Sequence, residues 1–245
     1  MSAQNLWLSA DCFACRAQGY WIILSVDQDR YFGIPEADLA AVGKRLPGRS
    51  RQQTASVSAG NHPGDADSLI DSMLLAGIIT DEESEGKPFT EPTRLAVDSA
   101  IEERDHSGSA RLSLALILRF AIASARADYR LRNSRISRIL RRVTRINGRL
   151  RRKAQGRGET SFDSDRASTL IAAFRRLRPF YPRRYLCLFD SLALLEFLAG
   201  YRLATHLVFG VIAEPFEAHC WLQQGTTVLN DDLERVARYT AIFTT

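Results

Sequence analysis

The chain has 245 residues, 45% of them hydrophobic and 25% charged, which are ordinary globular proportions. They exclude wholesale disorder, a collagen-like repeat and a disulfide-dense miniprotein, and at roughly 100–200 residues per domain they leave room for two domains at most. The net charge of +5 is uneven: residues 126–157 hold thirteen Lys or Arg against one acid, Asp128, so that window carries +12 and the rest of the chain −7.

No charged segment followed by an apolar one opens the chain, so no export signal is expected. No run approaches the roughly 18 apolar residues of a membrane span; the stretch Leu112–Ala125 is shorter and contains Arg119. Four cysteines do not read as a disulfide framework. A cytoplasmic protein with reduced thiols is predicted.

In chain order, short apolar runs at 13–17, 20–26 and 30–34 are separated by Ala17-Gln18-Gly19 and Asp27-Gln28-Asp29, which predicts a three-stranded meander. Pro35 and Glu36 suit a helix start, and Leu39, Val42 and Leu46 keep helical spacing. A Gly/Ser/Gln/Pro-rich loop follows over 47–64. A second helix is predicted from about Ala66 to Leu75, capped near Gly77, with Ile78 and Ile79 as a short strand. Residues 81–110, acidic and then polar with Pro88 and Pro92, read mostly as linker.

Helical periodicity returns at Leu112 and continues to Leu150, with Ile136, Ile139, Leu140, Val143 and Ile146 as the stripe, until Gly156 and Gly158 break it. Another helix covers about Asp165 to Leu177 and ends before Pro179. From Cys187 the pattern is one helix and then strands.

The segment from Cys187 to Gly200 is apolar on several faces and predicts a buried helix. Cys187 stands at its N-terminal end, after Pro182 and two arginines, where the helix dipole and nearby cations favour a thiolate. The bland alternative is a small buried side chain. Further on, a hairpin closing at Gln224-Gly225 would pair Gln223 with Thr226 and set His219 opposite Asn230, with Asp231 next to it. An amide or carboxylate would thus lie beside the imidazole, where it can fix the tautomer. Read alone, His219 is more readily a strand histidine satisfied by backbone, with Asn230-Asp231 as turn chemistry. Strict alternation favours Asn230 as its partner, and a bulge would favour Asp231.

A helix-start cysteine, a strand histidine and a neighbouring acid, in that order, suit a thiol enzyme: the imidazole is base and then acid, and the third group orients it. In these residues the chain resembles the B proteins of lasso peptide biosynthesis, the leader peptidases of that pathway. The resemblance runs from about Arg175 to Ile242. It rests on Cys187-Leu188-Phe189-Asp190-Ser191-Leu192, Phe209-Gly210-Val211, Pro215-Phe216-Glu217-Ala218-His219-Cys220-Trp221 and Leu229-Asn230-Asp231, with spacings of 32 and 12 between Cys187, His219 and Asp231.

The resemblance implies an α+β protein in two parts: a small winged-helix-like domain of three strands then helices, and a papain/transglutaminase-like cysteine peptidase. The expected boundaries are a leader-recognition domain at 1–82, a linker at 83–110 and the peptidase at 111–245, its N-terminal part arginine-rich. Cys187 would attack the scissile carbonyl between leader and core, His219 would relay the proton and Asp231 would orient it. No cofactor or metal is implied. The partners would be the precursor's leader peptide and an ATP-dependent, asparagine-synthetase-like cyclase. The leader would add as a strand at Arg30, Tyr31, Phe32, Gly33 and Ile34, beside a groove walled by Leu69, Met73 and Leu74. Those same residues are equally expected as plain core. The rivals are acyl transfer on the same three residues and a non-catalytic peptide-binding module.

Other features are discounted. Cys12-Phe13-Ala14-Cys15 has no second ligand pair for zinc, and in a strand its cysteines face opposite ways. Cys220 is expected to turn away from His219's face into the core. His206 reads as a satisfied strand histidine, and His62 and His106 fall in loops. The arginine-rich stretch lacks the interleaved aromatics of a single-strand binder, with only Tyr129, and is read as a solvated or partner-facing helix rather than a nucleic-acid site.

Overall fold

The computed structural model describes residues 5–42, 63–90, 96–101, 112–156 and 163–245. Leu46, Pro92, Gly158, the loop expected at 47–64 up to residue 62, His62 and His106 lie outside them. The architecture is mixed α+β. Chain contacts divide it into two units, Met1–Arg94 with Val211–Glu217 and Thr240–Phe243, and Leu95–Gly210 with Ala218–Tyr239 and Thr244–Thr245.

The first unit opens with β1 (Trp7–Ser9), β2 (Cys12–Ala17), β3 (Tyr20–Ser25) and β4 (Arg30–Pro35). As its turn residues predict, β2, β3 and β4 form an antiparallel meander in that order. Ala17 pairs with Tyr20 across Gln18-Gly19, both at positive φ, as in the two-residue hairpin turns that match strand twist. Two helices follow, α1 (Glu36–Val42) and α2 (Pro63–Leu75). Helix α2 ends where the sequence places its cap. Gly77, at φ +65°, donates its N–H to Leu74, and the Ile78 N–H reaches back to Met73. This is the Schellman pairing, and Met73 and Ile78 supply its apolar contact inside the core.

The short strands β5 (Ile79–Thr80) and β6 (Gly86–Lys87) flank β1 in a second antiparallel sheet. β1 and β6 were not anticipated, because two or three residues are too few to display a period of two. The core of this unit gathers Cys12, Trp21, Ile23, Leu39, Met73 and Phe89, with Trp21 and Phe89 edge to face at 4.9 Å.

The remaining elements are β7 (Ser99–Ala100), α3 (Leu114–Asn133), α4 (Ile136–Gln155), α5 (Ser164–Leu177), α6 (Cys187–Gly200), β8 (His206–Ile212), β9 (Glu217–Gln224), β10 (Thr227–Val228), α7 (Leu233–Ala237) and β11 (Thr240–Thr244). Five strands form one sheet in the order β11-β8-β9-β10-β7, with β9–β10 antiparallel and β10–β7 parallel. Part of the stretch read as linker is thus strand, at Gly86–Lys87 and Ser99–Ala100.

The single helical run read from Leu112 to Leu150 is two helices. The backbone turns extended at Ser134 and Arg135, with ψ of 145° and 149°. Asn133 and Ser134 are side chains that compete with helical backbone bonds, and Asn133 Nδ2 donates back to the Tyr129 carbonyl. Periodicity alone does not reveal the break, since the apolar stripe resumes in α4 at Ile139, Leu140 and Val143. The arginines of α4 cover its other faces. Among the described residues no helix is long and apolar enough to cross a membrane.

Helix α6 is apolar all round and is accordingly buried, as the sequence requires. It lies against α3 and α5, where the Phe174 and Phe197 rings meet at 5.7 Å and Glu196 pairs with Arg130. Nearer its N-terminal end, Ser191 joins it to the carbonyl of Cys220 on the strand β9.

Candidate active site

Cys187 is the first residue of α6 and is exposed, whereas the body of the helix is buried. Asp190, one turn on, reaches back and accepts the Leu186 N–H at 2.8 Å, closing the helix start. It also pairs with Arg178, which is only 4% exposed. Arg178 in turn donates to the carbonyls of Arg183 and Arg184 at 3.1 and 3.0 Å. The loop that delivers Cys187 is therefore tied to the helix it opens. The arginines expected to draw a thiolate are in part otherwise engaged, since Arg183 pairs with Asp128.

His219 lies on β9 and is 7% exposed. Its Nε2 meets Asp231 Oδ2 at 2.5 Å. That leaves Nδ1 as the ring nitrogen for Cys187, with which His219 also shares a hydrogen bond. The second Asp231 oxygen accepts the Asp232 N–H at 2.8 Å. The His219 ring lies nearly parallel to Trp221 and tilted against Tyr239, at centroid distances of 6.2 and 5.2 Å. Gly210 makes room for this arrangement: a Cβ there would stand 2.7 Å from the Trp221 ring and 2.8 Å from Tyr239 Cβ.

The hairpin register differs from the expected one. Gln224 pairs with Thr227 and Gln223 with Val228, so the turn is Gly225-Thr226. Gly225 takes φ +57° at the first central position, which a type II′ turn reserves for glycine. The regular ladder ends at Val228, and Asn230 continues it with its side chain. Its Oδ1 accepts the Leu222 N–H at 2.7 Å, and its Nδ2 donates to Ser191 Oγ at 2.9 Å. Ser191 donates to the Cys220 carbonyl at 3.3 Å. Between the two candidates left open as partner of His219, Asp231 makes the bond, and Asn230 stitches α6, β9 and the loop after β10 together.

Cys220 is buried in the core at 2% exposure, as alternation predicts. Alternation turns it from the His219 face, but the face it turns to is that of α6. Its thiol hydrogen-bonds to Cys187 and contacts Ser191. Ser191, buried and four residues after Cys187, was not singled out either. The signal was present: a hydroxyl at i+4 from the thiol, on the same face of an otherwise apolar helix.

The electrostatics follow from these contacts. The hydrogen bond from the Cys220 thiol holds the Cys187 thiol down to about 4; burial opposes this, and bonds from His219 and the Cys220 backbone reinforce it. Burial works against a charged His219, but the bonds to Asp231 and Cys187 and their charges lift it to about 9. Asp231 is half-buried, which would raise it, yet the bonds from His219 and the Asp232 N–H keep it below the usual carboxylate range. Between about pH 4 and 9 the pair is thiolate and imidazolium. That is a nucleophile with a proton donor beside it, the equipment of acyl-enzyme chemistry.

A cleft of about 440 Å³ opens over the pair, walled by Phe174, Tyr185, Leu194, Arg175 and Arg235. Among the described residues no group of three or more His, Cys, Asp or Glu is placed to hold a metal ion. Cys12 and Cys15 are buried free thiols. His206 is satisfied by Arg151 and by the Thr245 carbonyl.

Residues 130–244 match the model of the Transglutaminase-like superfamily. They carry a transglutaminase-like domain. It contains Cys187, His219 and Asp231 together with the helix and strands that align them. Neither the curated proteins nor the solved structures returned a match to the chain.

The residues expected to bind a leader belong to the other unit. β4 is an edge of its three-stranded sheet. In it Arg30 and Gly33 are exposed, Tyr31 and Phe32 half-buried and Ile34 buried. Met73 is 2% exposed and part of the core, while Leu69 and Leu74 are half-buried at its margin.

Proposed function

We propose that the chain is a cysteine peptidase that removes the leader from a ribosomally made precursor, as the B proteins of lasso peptide biosynthesis do. The observation that carries this reading is the Cys187–His219–Asp231 chain of hydrogen bonds at the start of a buried helix, open to a cleft. The Cys187 thiolate attacks the scissile carbonyl. The N–H groups of the first turn of α6 receive the developing oxyanion. His219 gives its proton to the leaving amine and then takes one from the water that frees the acyl-enzyme, while Asp231 holds the ring and its charge.

In the same reading, residues 1–82 are a winged-helix-like recognition module and 111–245 the peptidase. The leader adds as a strand along β4, with Leu69 and Leu74 lining its apolar contact and Met73 supporting them from the core. Capture and cutting in one chain raise the effective concentration of the scissile bond at Cys187. The freed core passes to an ATP-dependent cyclase.

The test is mass spectrometry of the precursor peptide encoded beside this gene, incubated with the protein and with Cys187→Ala. One cut at a leader–core junction, absent in the variant, supports the reading. Cleavage by both overturns the assignment of Cys187, and leader binding without cleavage by either leaves a binding module. Added hydroxylamine separates hydrolysis from acyl transfer. A product carrying the amine in preference to water, at low amine concentration, identifies a transferase.

A further inference from the structure

Cys187, His219 and Asp231 supply the nucleophile, the proton carrier and its orienting acid, yet a second thiol lies beside the nucleophile. Cys220 is 2% exposed on β9, lines the same cleft as Cys187 and hydrogen-bonds to it. Ser191 fixes the approach, because it sits one turn after Cys187 and binds the Cys220 carbonyl at 3.3 Å. The two thiols therefore line one cleft, on a helix and a strand joined through Ser191 and Asn230. A disulfide between them requires the sulfurs to close to about 2.0 Å. The exposure is also asymmetric. Cys187 meets solvent and Cys220 does not, which is the arrangement of an attacked thiol backed by a resolving one.

We propose that Cys187 and Cys220 form a redox pair, in which a peroxide converts the two thiols to an intramolecular disulfide that reversibly blocks the nucleophile. In the first step the Cys187 thiolate sulfur attacks one peroxide oxygen, and the O–O bond breaks. Cys187 becomes a sulfenic acid and the second oxygen leaves as water with the proton held by His219. In the second step the Cys220 sulfur bonds to the Cys187 sulfur and the S–O bond breaks. The hydroxyl departs as water with the Cys220 proton. Two thiols and one hydrogen peroxide yield one disulfide and two waters, and a dithiol reverses the change.

The order of events is built into the contacts. While Cys187 is a thiolate, its hydrogen bond and charge, with burial, keep Cys220 protonated well above the ordinary thiol range. Oxidation of Cys187 removes that charge and frees Cys220 to attack. Rapid closure also spares Cys187 from the irreversible sulfinic and sulfonic acids. The other described cysteines, Cys12 and Cys15, are buried in the first unit.

The proposal draws on the hydrolase reading only for the consequence of blocking Cys187, so its test uses mass and alkylation rather than cleavage. The full chain is treated with hydrogen peroxide at neutral pH and digested under non-reducing conditions. The expected product is two hydrogens lighter, with the Cys187 and Cys220 peptides joined. Iodoacetamide uptake at Cys187 falls at least tenfold and returns with dithiothreitol. In Cys220→Ser and Cys220→Ala the same treatment adds two or three oxygens to Cys187, and dithiothreitol does not restore alkylation. Accumulation of sulfinic or sulfonic Cys187 in the wild type, joining of a different cysteine pair, or no reaction with peroxide would each overturn the proposal. The wild-type mapping decides these outcomes even where a variant misfolds.

Discussion

Two cysteines in this chain are read in opposite ways by their surroundings. Cys12 sits in β2 at 0% exposure among Trp21, Ile23 and Met73, beside the charge of Asp11. Burial first, and then that charge, push its thiol up to about 12. Cys187 stands at a helix start, exposed, with a thiol donor and an imidazole in contact, and is held down to about 4. The motif around Cys12, a C-x-x-C, is the one that advertises chemistry in the sequence. The lone Cys187 is the one that the fold equips for it. Thiol reactivity is a property of the donors that reach the sulfur, and those arrive from elements distant in the chain.

The sharpest way to break this contrast is substitution. Cys187→Ala is expected to lower precursor cleavage by about 10⁴-fold or more, since the nucleophile is gone. Cys12→Ala is expected to leave the rate within about twofold and to cost about 1–2 kcal/mol of stability through the small cavity it opens. Equal loss of cleavage in both variants would remove the distinction. Next in size is Asp231→Asn, which leaves the shape but removes the charge and turns the wrong tautomer toward Cys187. A fall of about 10²–10⁴-fold in kcat is expected. The alkaline limb of the pH profile should also move down from about 9, because Asp231 supplies the bond and charge that lift His219. An unchanged limb would separate Asp231 from the pair.

Titration with iodoacetamide gives the contrast directly. Cys187 should alkylate at a constant rate from neutrality down toward about pH 4, and Cys12 should resist until the protein is unfolded. Below about 4 the rate at Cys187 falls as the thiolate takes a proton. In Cys220→Ala the acid limb should move upward, because the largest contribution to holding Cys187 down is the hydrogen bond from Cys220. Cys220→Ser, which keeps a donor, should restore part of the shift. A limb that stays in place in both variants would show that His219 alone sustains the thiolate.

A fourth test works through packing. Gly210→Ala puts a methyl group where the Trp221 ring and Tyr239 Cβ already stand, at 2.7 and 2.8 Å. Overpacking of this kind costs about 3 kcal/mol, near the top of its usual range, and would tilt the platform under His219. A lowered melting temperature with altered tryptophan fluorescence and a reduced cleavage rate is expected.

The residues differ in how much of their role was readable in advance. The meander and the capped helix before Gly77 were legible because their signals are local: turn residues between apolar runs and a glycine after a periodic stretch. Cys187 at a helix start and His219 on a strand were legible for the same reason. The choice between Asn230 and Asp231 was not, because it hangs on a hairpin register set by one residue, and Gly225 closes the turn one position later than Gln224-Gly225 would. The burial of Cys220 was legible but its place beside Cys187 was not, because alternation tells which face a side chain takes and not what covers that face. The helix behind it is 20 residues or more away in sequence. The strand pieces in the stretch read as linker are two residues each, too short to leave a pattern.

The smallest expected effect is at Ser191, and it isolates the stitching from the chemistry. Ser191→Ala removes the acceptor for Asn230 Nδ2 and the donor to the Cys220 carbonyl, at a site with 0% exposure. Alanine fits the space, so the cost is that of unmade hydrogen bonds, about 1 kcal/mol. Cys187, His219 and Asp231 are all retained. If their alignment depends only on their own bonds, kcat stays unchanged while the melting temperature drops slightly. If Ser191 and Asn230 set the spacing between α6 and β9, kcat falls more than that stability loss alone would produce, and KM for the precursor stays level. Peroxide closure of Cys187 with Cys220 slows in parallel, because the same stitch governs both.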